Sequence, residues 1–153
     1  MPKDFIYMVT LLCVGAIREA WIKQGIAEYE KRCSRFGGIA TIEVAKQQSK
    51  ESEGKLLLSR QPKSSYLIAC SENGAMLASR ELAAKLGSLN SQGYSNICFA
   101  VGGAEGLSEE VMKQAGFVMS FSALTFPHQL FRLLLAEQVY RAYTINANVP
   151  YNK

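Results

Sequence analysis

The sequence predicts an α/β fold, one domain built on a mainly parallel sheet with helices on both faces. Two observations predict it. Apolar runs rich in β-formers alternate with segments of helical period along the whole chain. The first of those runs is continuously apolar, as expected of a strand covered on both faces. At 153 residues the chain can bury one substantial core, and it shows no internal repeat or linker, so residues 1–153 are expected to form a single domain.

Phe5–Val14 is the first predicted strand, and Gly15 ends it. Arg18–Phe36 follows as a helix, with Trp21, Ile22, Ile26, Tyr29 and Cys33 at helical spacing and charges on the opposite face. Gly37-Gly38 punctuates, and Ile39–Val44 is the second strand. Lys46–Gly54 is polar and reads as a mobile, solvated loop merging into a surface helix that carries Leu56, Leu57 and Leu58. A second reading makes it an arm that touches RNA. Pro62 breaks that helix. Tyr66–Cys70 is the third strand, and Ser71-Glu72-Asn73-Gly74 has the composition of a turn. Ser79–Leu86 is the next helix, and Gly87–Gly93 leads into the stretch on which the rest is organised.

That stretch reads as a strand (Ile97–Val101), a glycine loop (Gly102-Gly103-Ala104-Glu105-Gly106), a short helix (Ser108–Ala115) and a strand (Phe117–Phe121). A small, apolar and hydroxylic loop follows (Ser122-Ala123-Leu124-Thr125-Phe126), then a long helix from Pro127 to Ile145. Both strands empty into loops on one side, where open α/β sheets bind small molecules. The long helix carries Leu130, Leu133, Leu134, Val139 and Tyr140, with Phe131 and Leu135 widening the stripe. So apolar a helix in so small a domain is expected to bury one face on its sheet and one on a second copy, a homodimer. The tail Asn146–Lys153 is too short for another element.

Composition narrows the function classes. The net charge of +4, from 17 basic and 13 acidic side chains, permits nucleic-acid contact without demanding it. With no basic block, an RNA footprint must be assembled by folding or dimerisation. No apolar run reaches the roughly 18 residues of a membrane span. Phe5–Val14 lacks the flanks of a signal peptide and reads as a strand. Cys13, Cys33, Cys70 and Cys98 form no CxxC pair, and three lie in apolar runs; buried reduced thiols point to the cytosol. With His128 the sole histidine, no metal site is expected.

The glycine loop alone is a weak motif. It is neither GxGxxG nor a Walker loop, and the next strand ends without the acid a dinucleotide fold would place there. It can be a tight turn that merely begins a helix, with Ser108 as cap and Glu109 and Glu110 at the positive helix end. His128 reads either as a ring packed at a helix start or as a catalytic acid or base; no nucleophile elbow accompanies it.

Taken together, FAVGGAEGLSEEV, SFSALTFPHQLFRLLLAEQVYRAYTI and a terminal Pro-Tyr-x-Lys closely resemble the RlmH (YbeA-type) SPOUT family of 23S rRNA pseudouridine-N3 methyltransferases. The opening fits too, in a Val-Gly strand end followed by a helix with Ala27-Glu28-Tyr29-Glu30-Lys31-Arg32, so the resemblance covers essentially the whole chain. It implies a C-terminal trefoil knot, which strand reading would not produce, an obligate homodimer, and S-adenosylmethionine bound in the knot. It implies methylation of N3 of a pseudouridine in 23S rRNA of the assembled ribosome, and a cytoplasmic enzyme. Carried over by position, the cofactor site would use Cys70, where relatives usually have leucine, with Gly102, Gly103, Phe121, Ser122, Ala123, Leu124, Thr125 and Phe126. The chain departs from the family in its tail, where Tyr151-Asn152-Lys153 stands in place of Tyr-His followed by Arg or Lys. Asparagine cannot act as a base near neutral pH. Three explanations compete: the residue only positions the target, so that Tyr151 and Asn152 suffice; His128 or solvent takes the proton; or the chain is a divergent paralogue that binds ribosomes with altered or no activity. Arg132, Arg141 and Lys153 are the candidate phosphate contacts, and surface or dimer salt bridges are the alternative reading for the two arginines.

Overall fold

Side chains along β1 (Met8–Val14) alternate between two apolar clusters: Val9, Leu11 and Cys13 in one, Leu12 and Val14 in the other. A strand buried on both faces needs helices on both, and the computed structural model, which describes residues 6–151, supplies them. The order continues α1 (Ala20–Cys33), β2 (Ile39–Val44), α2 (Lys50–Arg60), β3 (Tyr66–Met76), α3 (Ser79–Ser91), β4 (Asn96–Val101), α4 (Glu109–Gln114), β5 (Phe117–Ser120) and α5 (His128–Asn146). All pairings in the five-stranded sheet are parallel, in the order β2-β1-β4-β3-β5. One face is covered by α1, α5 and α3, through Cys33, Leu135, Val139, Leu82 and Leu86. The other is covered by α2 and α4, through Leu57 and Val111.

Several boundaries differ from the sequence reading. β1 is regular from Met8, and Phe5 lies outside the described residues. The polar segment expected to be a mobile loop is helical from Lys50, because Ser49 caps α2 by accepting from Ser52 N–H at 3.1 Å. Gly54 lies inside that helix, where an added carbon would collide with Ser108 Oγ. β3 runs past Cys70 to Met76; the expected turn is an irregularity in which the register skips from Cys70 to Ala75 opposite Met119. Gly74 makes that bend possible, since an added carbon would lie 2.6 Å from the Met119 and Val118 backbone. α3 continues through Gly87 to Ser91. Trp21, expected on the apolar stripe of α1, is 56% exposed, whereas Ile22, Ile26 and Cys33 are buried.

The C-terminal helix is locked to the start of the sheet by Tyr143. Its ring stacks on Tyr7 (4.8 Å) and Phe36 (5.8 Å). Its hydroxyl lies 2.8 Å from both the Tyr7 and the Gly38 carbonyl oxygens and donates to one at a time. Tyr143→Phe keeps the stacking but leaves a buried carbonyl short of a donor, so urea denaturation is expected to show a loss of about 1.5 kcal/mol.

Candidate functional site

The chain after β4 leaves toward the face covered by α2 and α4, while the chains after β1, β3 and β5 leave toward the face of α1, α3 and α5. Crevices therefore open at the carboxyl ends of the strands on either side of β4, the arrangement in which open α/β sheets take ligands. β3 lies between β4 and β5, with Ala69 opposite Ala100 and Cys70 opposite Met119. The loops after β4 and β5 thus rise from one edge of the sheet, two strand spacings or about 10 Å apart, with Cys70 between their roots.

The glycine loop is folded on itself. Gly106 N–H donates to the Gly103 carbonyl at 3.0 Å, and Gly106 takes φ of +82°. Gly102 must be bare, because an added carbon would lie 2.5 Å from Gly106 C and 2.6 Å from its carbonyl oxygen. Ser108 caps α4 through Val111 N–H at 3.2 Å. The turn that merely begins a helix and the loop that walls a crevice are therefore the same residues. On the second loop, Ser122 Oγ accepts from Leu124 N–H at 3.0 Å, and Phe121 packs edge-on against Phe126 (6.4 Å) and Phe131 (5.1 Å). Ala123, Leu124 and Thr125 are exposed, Leu124 at 73%. Beside this loop is a cavity of about 150 Å³ lined by Leu77, Ser79, Leu82, Met119, Ser120, Phe121 and Gln138, with a 2.8 Å hydrogen bond from Ser79 to Gln138 in its wall.

Cys70 is partly buried, and burial raises its thiol above the ordinary range; burial likewise pushes Cys13, Cys33 and Cys98 up to about 12. All four are free thiols whose burial disfavours the thiolate form.

The residues expected to touch RNA are placed differently. Arg132 is corrected: it is 3% exposed, donating to the Gly15 carbonyl at 3.0 Å and to Glu43 at 2.6 Å. Its guanidinium ties α5 to the ends of β1 and β2 and is out of reach of a phosphate. Arg141 pairs with Glu137 at 2.6 Å and lies 4.9 Å over the Tyr151 ring. Tyr151 donates to Glu137 at 2.8 Å and packs edge-on against Tyr140 at 4.7 Å, so the tail folds back on α5. Burial, then the bond to Glu137, raises the Tyr151 hydroxyl above its ordinary value; it is a donor, not a base. His128 is exposed at the start of α5, whereas Tyr151 packs on Glu137 and Tyr140, about two and a half turns further along that helix. Asn152 and Lys153 lie outside the described residues.

Sequence reasoning missed Glu43, Glu53, Gln129 and Glu137. Gln129 accepts from Arg18 N–H at 2.8 Å, tying the chain just before α1 to α5. Partners 89 or 111 residues apart leave no local signal. Glu137, one turn before Arg141, could have been found as a helix ion pair.

The family model described as a predicted SPOUT methyltransferase matches residues 8–152. The chain is 41% identical to ribosomal RNA large subunit methyltransferase H of Clostridium novyi, over 95% of this chain and 99% of the relative. Identity and coverage are the same for the protein of that name from Bacillus pumilus. Among solved structures, a probable methylase family protein from Haemophilus influenzae superposes with a TM-score of 0.54 at 14% identity, covering 98% of this chain and 71% of that one. The tRNA (m1G37) methyltransferase of Aquifex aeolicus gives 0.54 at 12% identity, covering 89% and 69%. These two likenesses are of fold alone.

Proposed function

The chain belongs to the SPOUT methyltransferase family, and from that premise we propose that it is an S-adenosylmethionine-dependent methyltransferase of large-subunit ribosomal RNA, acting on N3 of a pseudouridine in 23S rRNA of the assembled ribosome. The observation that carries the reading is the convergence of Gly102–Gly106, Cys70 and Ser122–Phe126 on one edge of the sheet. The residues present fit the cofactor. Gly102 and Gly103 let the backbone come close, Cys70 and Phe121 offer apolar walls, and the peptide groups of Ser122–Phe126 can meet the edge of a purine. The cavity is smaller than the roughly 300 Å³ at which ligand pockets begin. Closing of the exposed loop, or a second subunit, would complete it.

When bound, the cofactor supplies a methyl group on a sulfonium sulfur. This chain's part is to hold that group in line with the target nitrogen and to exclude water. His128 or solvent is left as the acceptor for the N3 proton, since Tyr151 donates to Glu137. A homodimer belongs to the reading: Leu130 and Leu134, one turn apart on α5, are only partly covered, and Trp21 is exposed. The C-terminal knot and a cytoplasmic location belong to it as well.

The test incubates the protein with labelled S-adenosylmethionine and ribosomes from a strain lacking the modification, and maps the methylated nucleotide by mass spectrometry. Asn152 favours a second reading, a relative that binds ribosomes without transferring methyl groups; retained ribosome binding with no labelled product would select it. On the first reading Asn152 only positions the target, and Asn152→His is expected to change the methylation rate by less than about tenfold, under about 1.4 kcal/mol of barrier.

A further inference from the structure

Glu53, in the first turn of α2, is 6% exposed. Its carboxylate accepts one hydrogen bond, from Gln47 N–H at 3.2 Å, and pairs with no cation among the described residues. A buried carboxylate with so few partners weakens a fold unless something further compensates it. Its position is specific. A carbon added to Gly103 would lie 3.4 Å from Glu53 Oε1, 3.4 Å from Val14 Cγ1 and 3.6 Å from Glu53 Oε2. The carboxylate therefore lies against the bare backbone of the glycine loop beside the end of β1, on the side of β4 opposite Cys70 and Ser122–Phe126, so it acts on a ligand in that crevice through its charge and through the loop.

Lys50 and Lys55, on the same helix, are partly or fully exposed and make no ion pair with it. Arg132, near the end of β1, is engaged by Glu43. Among the described residues no cation on the elements packed around Glu53 neutralises it, and its electrostatic support is the positive end of α2.

We propose that Glu53 is a positioning residue for a cationic methyl donor: its carboxylate is the counter-charge of the crevice and gives the site its preference for a sulfonium over a neutral thioether. The inference rests on the methyltransferase reading. Removing the charge should cost a cation more than a neutral ligand of almost the same shape. It should not cost the empty protein stability, because glutamine keeps the acceptor for Gln47 N–H and sheds the uncompensated charge.

The experiment titrates the purified wild-type and Glu53→Gln proteins with S-adenosylmethionine and with S-adenosylhomocysteine by calorimetry, and melts both ligand-free proteins. Glu53→Gln is expected to weaken the sulfonium ligand about tenfold and the thioether less than about threefold, with an unchanged or higher melting temperature. Equal losses for the two ligands, or a variant that melts lower, would show that Glu53 only supports the fold and would overturn the proposal. A wild-type protein that binds neither ligand overturns the methyltransferase reading itself. Binding of both with no change in their ratio overturns the Glu53 proposal alone.

Discussion

Gly102→Ala is expected to lower S-adenosylmethionine affinity about a hundredfold, roughly 2.7 kcal/mol, and to destabilise the protein by about 1–3 kcal/mol. The added methyl carbon would sit 2.5 Å from Gly106 C, 2.6 Å from its carbonyl oxygen and 2.9 Å from Leu107 N. All three are backbone atoms, so no side chain can swing aside. The Gly103–Gly106 turn must shift as a unit, and with it the wall of the crevice next to Cys70. Gly106 is the control. It needs a positive φ, but an added carbon there meets nothing within 4 Å. Gly106→Asn should therefore cost about 1 kcal/mol at most and leave affinity within a few-fold. Calorimetric titration of the two variants checks the contrast; similar affinities in both would mean that the loop's backbone position does not shape the site.

The same loop shows how far the sequence could be read. Strand periodicity and the glycine run placed the chain turn after β4 correctly, because an apolar run ended by small residues is a local signal. Which glycine must be bare, and against what, depends on Gly106 folding back over Gly102, a contact no spacing rule encodes. β3 failed at Cys70 for a related reason. Ser71-Glu72-Asn73-Gly74 has turn composition, and only the pairing of Ala75 with Met119 on the neighbouring strand lets the chain resume. Trp21 fits a helical stripe in spacing but stands outside what the sheet and the neighbouring helices cover. At the site, the loops were legible because they are contiguous. Glu53 was not: as a first-turn acid behind a serine cap it looks like an ordinary favourable charge on a helix dipole, and only burial separates it from Glu51, which is exposed.

Arg132 is the plainest case of a residue whose type misleads. An arginine on an apolar helix near a presumed RNA site reads as a phosphate contact, yet this one is a tether. Arg132→Ala is expected to reduce stability by about 3 kcal/mol in urea denaturation, with a fall in melting temperature on the order of 10 °C. The substitution removes the hydrogen bond to the Gly15 carbonyl and the ion pair to Glu43, and empties a site that is 3% exposed. Glu43 is 40% exposed and can regain water, which holds the loss below that of a fully buried pair. The guanidinium is itself imperfectly satisfied, since Nε has no hydrogen-bond partner among the described residues. Arg132→Met, which keeps most of the volume and leaves no buried charge on α5, should therefore lose only about half as much. Arg132→Lys should not restore wild-type stability, because one ammonium cannot reproduce the planar fork that spans the Gly15 carbonyl and Glu43. A phosphate-binding arginine would give the opposite pattern. Its alanine variant would melt near the wild type and weaken ribosome binding with a reduced salt dependence, and that outcome would return Arg132 to the RNA surface.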